Sequence, residues 1–180
     1  MQQHELFATS LRPPPGAVLV WFAKWRLGPC VIELRLVEPG DSATVLRWRN
    51  DPHTVAMSVT ASAVSQAEHD RWFAKQLGEP LTKLYIATVE GTEIGVCRFD
   101  RDPSTDAAEV SINLNPAMRG RGLARPLLEA AIATYCRGQA ITLTATIKQS
   151  NQPSLRVFAR CGFEQVRTAD ECAYFVKSAN

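Results

Sequence analysis

Residues 108–137 constrain this chain most tightly. "AEVSINLNP" (108–116) alternates Val110, Ile112 and Leu114 against Ser111 and Asn113, which predicts a strand with one buried face, ended by Pro116. Residues 122–137 then repeat apolar side chains at i+4. One ladder is Leu123, Leu127, Ala131 and Tyr135; its neighbour is Ala124, Leu128, Ile132 and Cys136, with Arg125, Glu129 and Arg137 outside both. That predicts a helix with a wide apolar face. Arg119-Gly120-Arg121-Gly122 joins the two. A helix start leaves its first N–H groups without partners, and the helix dipole adds partial positive charge there. The glycines permit positive φ and close backbone approach, and the arginines bring charge suited to phosphate. The natural guest is a pyrophosphate, although the same residues also serve as a plain turn. Other phosphate loops fit less well. Leu123-Ala124 stands where a P-loop needs Lys-Ser/Thr, and Arg125 stands where G-x-G-x-x-G needs its last glycine.

The flanking segments supply the rest of an α/β fold. "VIELRLVEP" (31–39) alternates Ile32, Leu34 and Leu36 against Glu33 and Arg35, a half-buried strand. Gly40-Asp41-Ser42 opens a short helix that stops at Asp51-Pro52. Ser65-x-x-Glu68 is a capping box, and the helix it opens carries His69, Trp72, Phe73 and Leu77 on one face until Gly78 and Pro80. Residues 83–101 read as two strands around Glu90-Gly91. "AITLTATIK" (140–148) places Thr142, Thr144 and Thr146 on one face of a strand. Asn151 to Arg160 is a helix capped by Ser150 or Asn151 and closed by Gly162. Short strands near Phe163–Arg167 and Cys172–Lys177 finish the order β α α β β β α β α β β. That alternation predicts a mixed central sheet with helices on both faces.

Bulk properties narrow the function. A chain of 180 residues, 46% apolar and 21% charged, fits one soluble domain. A net charge of +2 is too small for a general nucleic-acid binder, so any anion site is local. Five cysteines at irregular spacing, with no C-x-x-C pair, indicate neither a disulfide framework nor a metal site; reduced thiols in a cytoplasm fit better. Residues 1–30 read as an N-terminal appendage to a domain at 31–180. Their apolar stretch "AVLVWFAKW" (17–25) is interrupted by Lys24 and too short to span a membrane.

Two motifs, in order and on the right elements, resemble the GNAT superfamily, the Gcn5-related N-acetyltransferases. The first is Arg119-Gly120-Arg121-Gly122-Leu123-Ala124 after a strand; the second is Asn151-Gln152-Pro153-Ser154 through Phe158, followed by Gly162-Phe163. The resemblance covers residues 31–177. It implies a GNAT fold, with six to seven strands, four flanking helices and two strands splayed around acetyl-CoA, and no metal. It implies that Ile112, Asn113 and Leu114 pair with the pantetheine arm and that the Leu114 N–H stabilises the developing oxyanion. It implies further cofactor contacts from the loop residues 119–124, from Asn151 and Ser154, and at Phe158. The usual general acid and base do not carry over, because Phe158 cannot donate a proton and Thr146 stands at the frequent glutamate position.

Three side chains offer themselves instead. Glu109 is either a base, acting directly or through water, or a solvated carboxylate. His69 is either a base or a core histidine. Tyr85 is either catalytic or a buried ring with a bonded hydroxyl. The stretch Trp48-Arg49-Asn50-Asp51-Pro52 with Glu68-His69 and Trp72 looks like two groups: amino-sugar-nucleotide acetyltransferases of pseudaminic-acid-type pathways, and ribosomal-protein N-terminal acetyltransferases. The first resemblance implies a small-molecule amine acceptor, with Arg47 and Arg49 on a diphosphate, Trp48 or Trp72 stacking, and Asn50 beside them. A solvated helix face and core tryptophans are the plainer alternatives. An antibiotic or other small amine, and an acyl-CoA sensor without turnover, are the remaining functional alternatives. Pairing through sheet edges, common in the family, makes a homodimer the expectation for assembly.

Overall fold

The computed structural model describes residues 23–27 and 30–179, with backbone alone for 23–27 and Cys30. The expected alternation is present: β1 (Ala23–Leu27), β2 (Cys30–Leu36), α1 (Ser42–Arg49), α2 (Pro52–Met57), α3 (Gln66–Gly78), β3 (Thr82–Val89), β4 (Thr92–Asp102), β5 (Ala107–Leu114), α4 (Ala124–Cys136), β6 (Ile141–Lys148), α5 (Gln152–Arg160), β7 (Glu164–Ala169) and β8 (Cys172–Ala179). The strands form one sheet in the order β1-β2-β3-β4-β5-β6-β8-β7. Among the described residues it has the six to seven expected strands and one more, because Ala23–Leu27 pairs antiparallel with β2. That part of the segment read as an appendage belongs to the sheet; residues 1–22 lie outside the described residues. The second addition is α2. Asp51-Pro52 ends α1, and it also starts a new helix, with Asp51 as N-cap and Pro52 at the first helical position.

Two cores sandwich the sheet. On one face Ile32, Leu34, Cys97, Phe99 and Val110 pack with Leu127, Leu128 and Ala131 of α4. On the other, Val45 and Trp48 of α1 and Phe73 of α3 pack with Leu84, Ile86 and Val96. The four cysteines whose side chains are described, Cys97, Cys136, Cys161 and Cys172, are free and buried. Burial pushes the Cys97 and Cys161 thiols up, the latter to about 11, so neither is a ready nucleophile.

The feature that positions the site is the pairing of β5. It runs antiparallel to β4 along its whole length, from Asp102↔Ala107 to Gly95↔Leu114. Parallel to β6 it pairs only at Ala107↔Thr142, Ala108↔Leu143 and Glu109↔Thr144. Beyond Glu109 the two strands part. β4 helps draw β5 away. Its register against β3 slips by one residue at Ile94, a bulge that bends the strand. Asn115 fixes that bulge, donating its N–H to the Ile94 carbonyl and its Nδ2 to the Glu93 carbonyl, both at 2.9 Å. Gly95 lets the backbones close up: a Cβ there would sit 2.8 Å from the Asn113 carbonyl oxygen and 3.1 Å from the Leu114 Cα.

Gly95→Ala therefore forces backbone apart from backbone. The expected cost is about 1–3 kcal/mol, read as a lower urea midpoint with an unchanged m-value. A midpoint equal to wild type would show that β4 and β5 have slack at this crossing.

Candidate active site

The cleft lies where β5 leaves β6. The Asn115 N–H points to β4, so strand alternation turns the N–H groups of Leu114 and Ile112 the opposite way, toward the gap. The Asp106 carbonyl, on this same edge, accepts from the Thr142 N–H at 2.8 Å where the strands still pair. From Val110 onward the edge is open. These are the residues expected to meet the pantetheine arm. Asn113, by the same alternation, turns its N–H and C=O toward β4, and its side chain lies on the α1/α3 face, where Oδ1 accepts from the Thr54 hydroxyl at 3.2 Å.

The loop after β5 is built as an anion cradle. Gly120 and Gly122 both have φ of 75°, the left-handed region that favours glycine. The helix starts at Ala124 rather than at Gly122. Leu123 is its N-cap and supplies no side-chain cap. Pro126 has no N–H, and the first intrahelical bond comes from Leu127 N–H to the Leu123 carbonyl at 3.0 Å. The N–H groups of Ala124 and Arg125 thus have no helical acceptor. The starts of α2, α3 and α5, by contrast, are capped by the side chains of Asp51, Ser65 and Asn151. Arg121 is exposed and makes no ion pair among the described residues. Uncapped donors, open glycines and one unpaired arginine fit the pyrophosphate of coenzyme A.

Arg119 has a different partner from the one expected. Its Nη1 donates to Asp51 Oδ1 at 2.6 Å and its Nη2 to Thr54 Oγ1 at 2.5 Å. The Asp51 carboxylate also accepts from the Thr54 N–H at 3.0 Å. The hydrogen bond from Arg119, helped by that backbone donor, holds the Asp51 carboxyl below the usual carboxylate range. At the far end of α2, Lys148 Nζ donates to the Ala56 carbonyl at 3.3 Å and Asn151 Nδ2 to the Met57 carbonyl at 3.5 Å. One short helix therefore touches both lips of the cleft, β5 through its first turn and β6 through its last carbonyls.

The second motif is mainly structural. Asn151 Oδ1 accepts from the Ser154 N–H at 3.2 Å, so both ends of its amide have protein partners. Ser154 is half-buried near the same lip. Phe158 is buried, 5.0 Å from the Phe163 ring edge-to-face, and fills the core rather than facing a cofactor.

The acceptor side revises several expectations. Trp48 is 2% exposed in the core of the α1/α3 face, which leaves no ring surface for stacking. Asn50 clamps the backbone of Val64 from both sides, donating at 2.7 Å and accepting at 2.8 Å. Arg49 donates to Thr60 Oγ1 at 3.0 Å and the Ser62 carbonyl at 3.2 Å, and burial pulls its pKa down. Both residues shape the loop before α3 instead of greeting a ligand. His69 is also 2% exposed; its Nε2 lies 3.0 Å from the Ser42 carbonyl and so carries a proton, and its ring stacks on Phe73. A base there has no route to substrate. Tyr85 packs edge-on to Phe99 on the α4 face, and burial pushes its phenol up to about 12. Glu109 is exposed, five residues from Leu114, about 17 Å along an extended strand. It does not reach an amine at the Leu114 N–H directly. Trp72 remains half-exposed, with the Arg98 guanidinium 5.6 Å above its ring.

Arg47 alone of the expected acceptor arginines stays available. It is exposed, and its one hydrogen bond, to Thr44 Oγ1, is long at 3.5 Å. It lines a cavity of about 370 Å³ with Trp48, Asp51, Asn115, Pro116 and Ala117. Sequence reasoning overlooked Asp51, Thr54 and Asn115. The visible signal was Asn50-Asp51-Pro52, a helix start as much as a stop.

Among the described residues no group of His, Cys, Asp and Glu could hold a metal ion, and no helix is long and apolar enough to cross a membrane.

Known proteins share this fold. In the spermidine N-acetyltransferase of Vibrio cholerae, solved with CoA and spermine, the same fold gives a TM-score of 0.74 at 16% identity, covering 82% of this chain and 95% of that one. An aminoglycoside acetyltransferase in complex with coenzyme A gives 0.68 at 24% identity, over 82% and 94%. In sequence, a putative phosphinothricin acetyltransferase of Bacillus subtilis is 30% identical over 139 residues, 73% of this chain and 83% of its own length. An uncharacterized N-acetyltransferase of Mycobacterium tuberculosis is 27% identical over 113 residues, 63% of this chain and 72% of its own length. None of these relatives is described as acting on a nucleotide-linked sugar. Residues 32–164 match the family model for the acetyltransferase (GNAT) domain. With its splayed strands and uncapped loop-to-helix turn, the chain belongs to the GNAT acetyltransferase family.

Proposed function

We propose that this N-acetyltransferase moves the acetyl group of acetyl-CoA to the primary amine of a small acceptor that also carries an anionic group, a nucleotide-linked amino sugar being the preferred case. Arg47 carries the proposal. It is the charged side chain of the cavity without an opposing carboxylate, since Asp51 is already neutralised by Arg119. The cavity is thus net positive, and a guanidinium fork suits phosphate or carboxylate. The same cavity is lined by Asn115–Ala117, which follow directly on Leu114 in the chain and so tie it to the end of β5. A polycation would meet Arg47 without compensation.

Acetyl-CoA supplies the acetyl thioester, and the chain binds and orients it. The uncapped start of α4 and Gly120–Gly122 receive the pyrophosphate, and the open edge at Ile112 and Leu114 receives the pantetheine and acetyl carbonyl. An N–H aimed at a developing oxyanion is worth on the order of 3 kcal/mol in other enzymes. No carboxylate or imidazole of the expected set stands at the gap. The amine therefore arrives neutral and loses its second proton to water, and the thiolate leaves without a phenol to meet it.

Thiol release with acetyl-CoA, run against an amine panel with mass spectrometry of products, tests the reading. UDP-linked amino sugars are expected to turn over and spermine to be a poor acceptor. Preference for spermine would sink the anionic-acceptor reading.

Arg47→Ala is expected to raise the acceptor KM by about ten-fold or more, the scale of one charge-assisted hydrogen bond. The acetyl-CoA KM is expected to change little. Equal effects on both would remove Arg47 from acceptor binding.

The pH profile of kcat/KM is expected to rise with the acceptor amine's own titration, and to move when an amine of different basicity is substituted. Glu109→Gln is expected to leave that profile in place. A profile fixed at one pKa across acceptors would reveal a protein base.

A further inference from the structure

The contact between Asp51 and Arg119 joins elements 68 residues apart: the start of α2, on the acceptor side, and the first residue of the coenzyme loop. Arg119 is 27% exposed and Asp51 21%, so the pair is neither freely solvated nor fully buried. Thr54 closes the arrangement, accepting from Arg119 and donating to Asn113 on β5. Arg119 is therefore turned toward α2. The next three residues, Gly120-Arg121-Gly122, include two glycines at positive φ and show no side-chain hydrogen bond of their own. Little but Arg119 at one end and the α4 start at the other fixes their path.

We propose that Asp51 is a positioning residue for the coenzyme loop, acting through Arg119. The carboxylate holds the guanidinium, and the guanidinium sets where the backbone N–H groups after it point. This rests on the loop binding coenzyme A. It assigns to the Asn-Asp-Pro segment of the acceptor side a role in donor binding, and makes α2 the link between the two substrates.

Two effects of removing the charge oppose each other, which makes the sign informative. By electrostatics alone, deleting a carboxylate near a pyrophosphate strengthens binding, about two-fold for a screened surface charge. If Asp51 anchors the loop, its loss frees three residues that binding must then order again, and affinity falls. Ordering three residues outweighs one screened repulsion.

The decisive variant is Asp51→Asn. Asparagine is as good an N-cap as aspartate, so the start of α2 is retained while the ion pair is lost. Titration calorimetry of the full chain with coenzyme A is expected to show binding about ten-fold weaker than wild type, the scale of coupling within one ion-pair network. The melting temperature is expected to change by no more than a few degrees. Arg119→Met is expected to weaken binding similarly, and the double variant to bind no worse than Arg119→Met alone. Wild-type affinity or tighter binding in Asp51→Asn, or losses that multiply in the double variant, would overturn the proposal. If wild type itself gives no heat with coenzyme A, the reading of the loop fails, and this inference with it.

Discussion

A strand edge with unpaired N–H and C=O groups is costly when buried and adhesive when open. β5 carries such an edge from Val110 to Leu114, because its pairing with β6 ends at Glu109↔Thr144. The other face of the same strand is fully engaged: every residue from Ala107 to Leu114 has a partner on β4, and Asn115 extends the ladder. The strand is therefore held firmly on one side and left open on the other. An extended ligand arm bearing amides can complete it as an added strand would. The bulge at Ile94 and the missing Cβ at Gly95 are the local means by which β4 keeps that edge turned outward.

Secondary structure was legible wherever one face of an element meets a core. The period of two in β2, β5 and β6 and the i+4 ladders of α4 follow from burial on one side, and burial writes itself into composition. The Ser65/Glu68 box was legible because capping is local in sequence. Three things were not. β1 falls in a segment whose sequence reads as an appendage, and only pairing with β2 makes it a strand. α2 has six residues and no buried side chain, so no periodic signal exists to find. The partners of Arg119, Asn50 and Arg49 are set by tertiary contacts at separations of 11 to 68 residues. Composition shows that an arginine is present, but not which carboxylate it will meet. The tryptophan and histidine readings turned on the same point: periodicity gave the face of His69 but none for Trp48, and the burial of both depended on how α1 and α3 close over the sheet.

The stretch Asn50-Asp51-Pro52 illustrates how adjacent residues divide work. Asn50 ties the chain to Val64, fixing the loop that precedes α3. Asp51 caps α2 and engages Arg119. Pro52 presets the first helical φ and lacks the N–H that would otherwise be orphaned. Together they carry the chain from the α1 core to the mouth of the cleft in three residues. Neither Asn50 nor Asp51 is then an independent ligand contact, and among the described residues lining the cavity the cation is Arg47.

The absence of a tyrosine at 158 is less damaging to acyl transfer than it first looks. Proton donation helps most when the leaving group is strongly basic. A thiol titrates near 8.5, so its anion is a tolerable product at neutral pH, unlike an alkoxide. The harder requirement falls on the nucleophile, because an alkylamine is mostly protonated at that pH and a protonated amine cannot attack. A fixed positive charge beside the amine disfavours its protonated form. In the proposed arrangement, however, Arg47 is paired with the acceptor's anion, so it orients the acceptor and leaves the amine its own basicity. The fraction of amine free to attack then follows its own titration, and water takes the proton that it loses on attack.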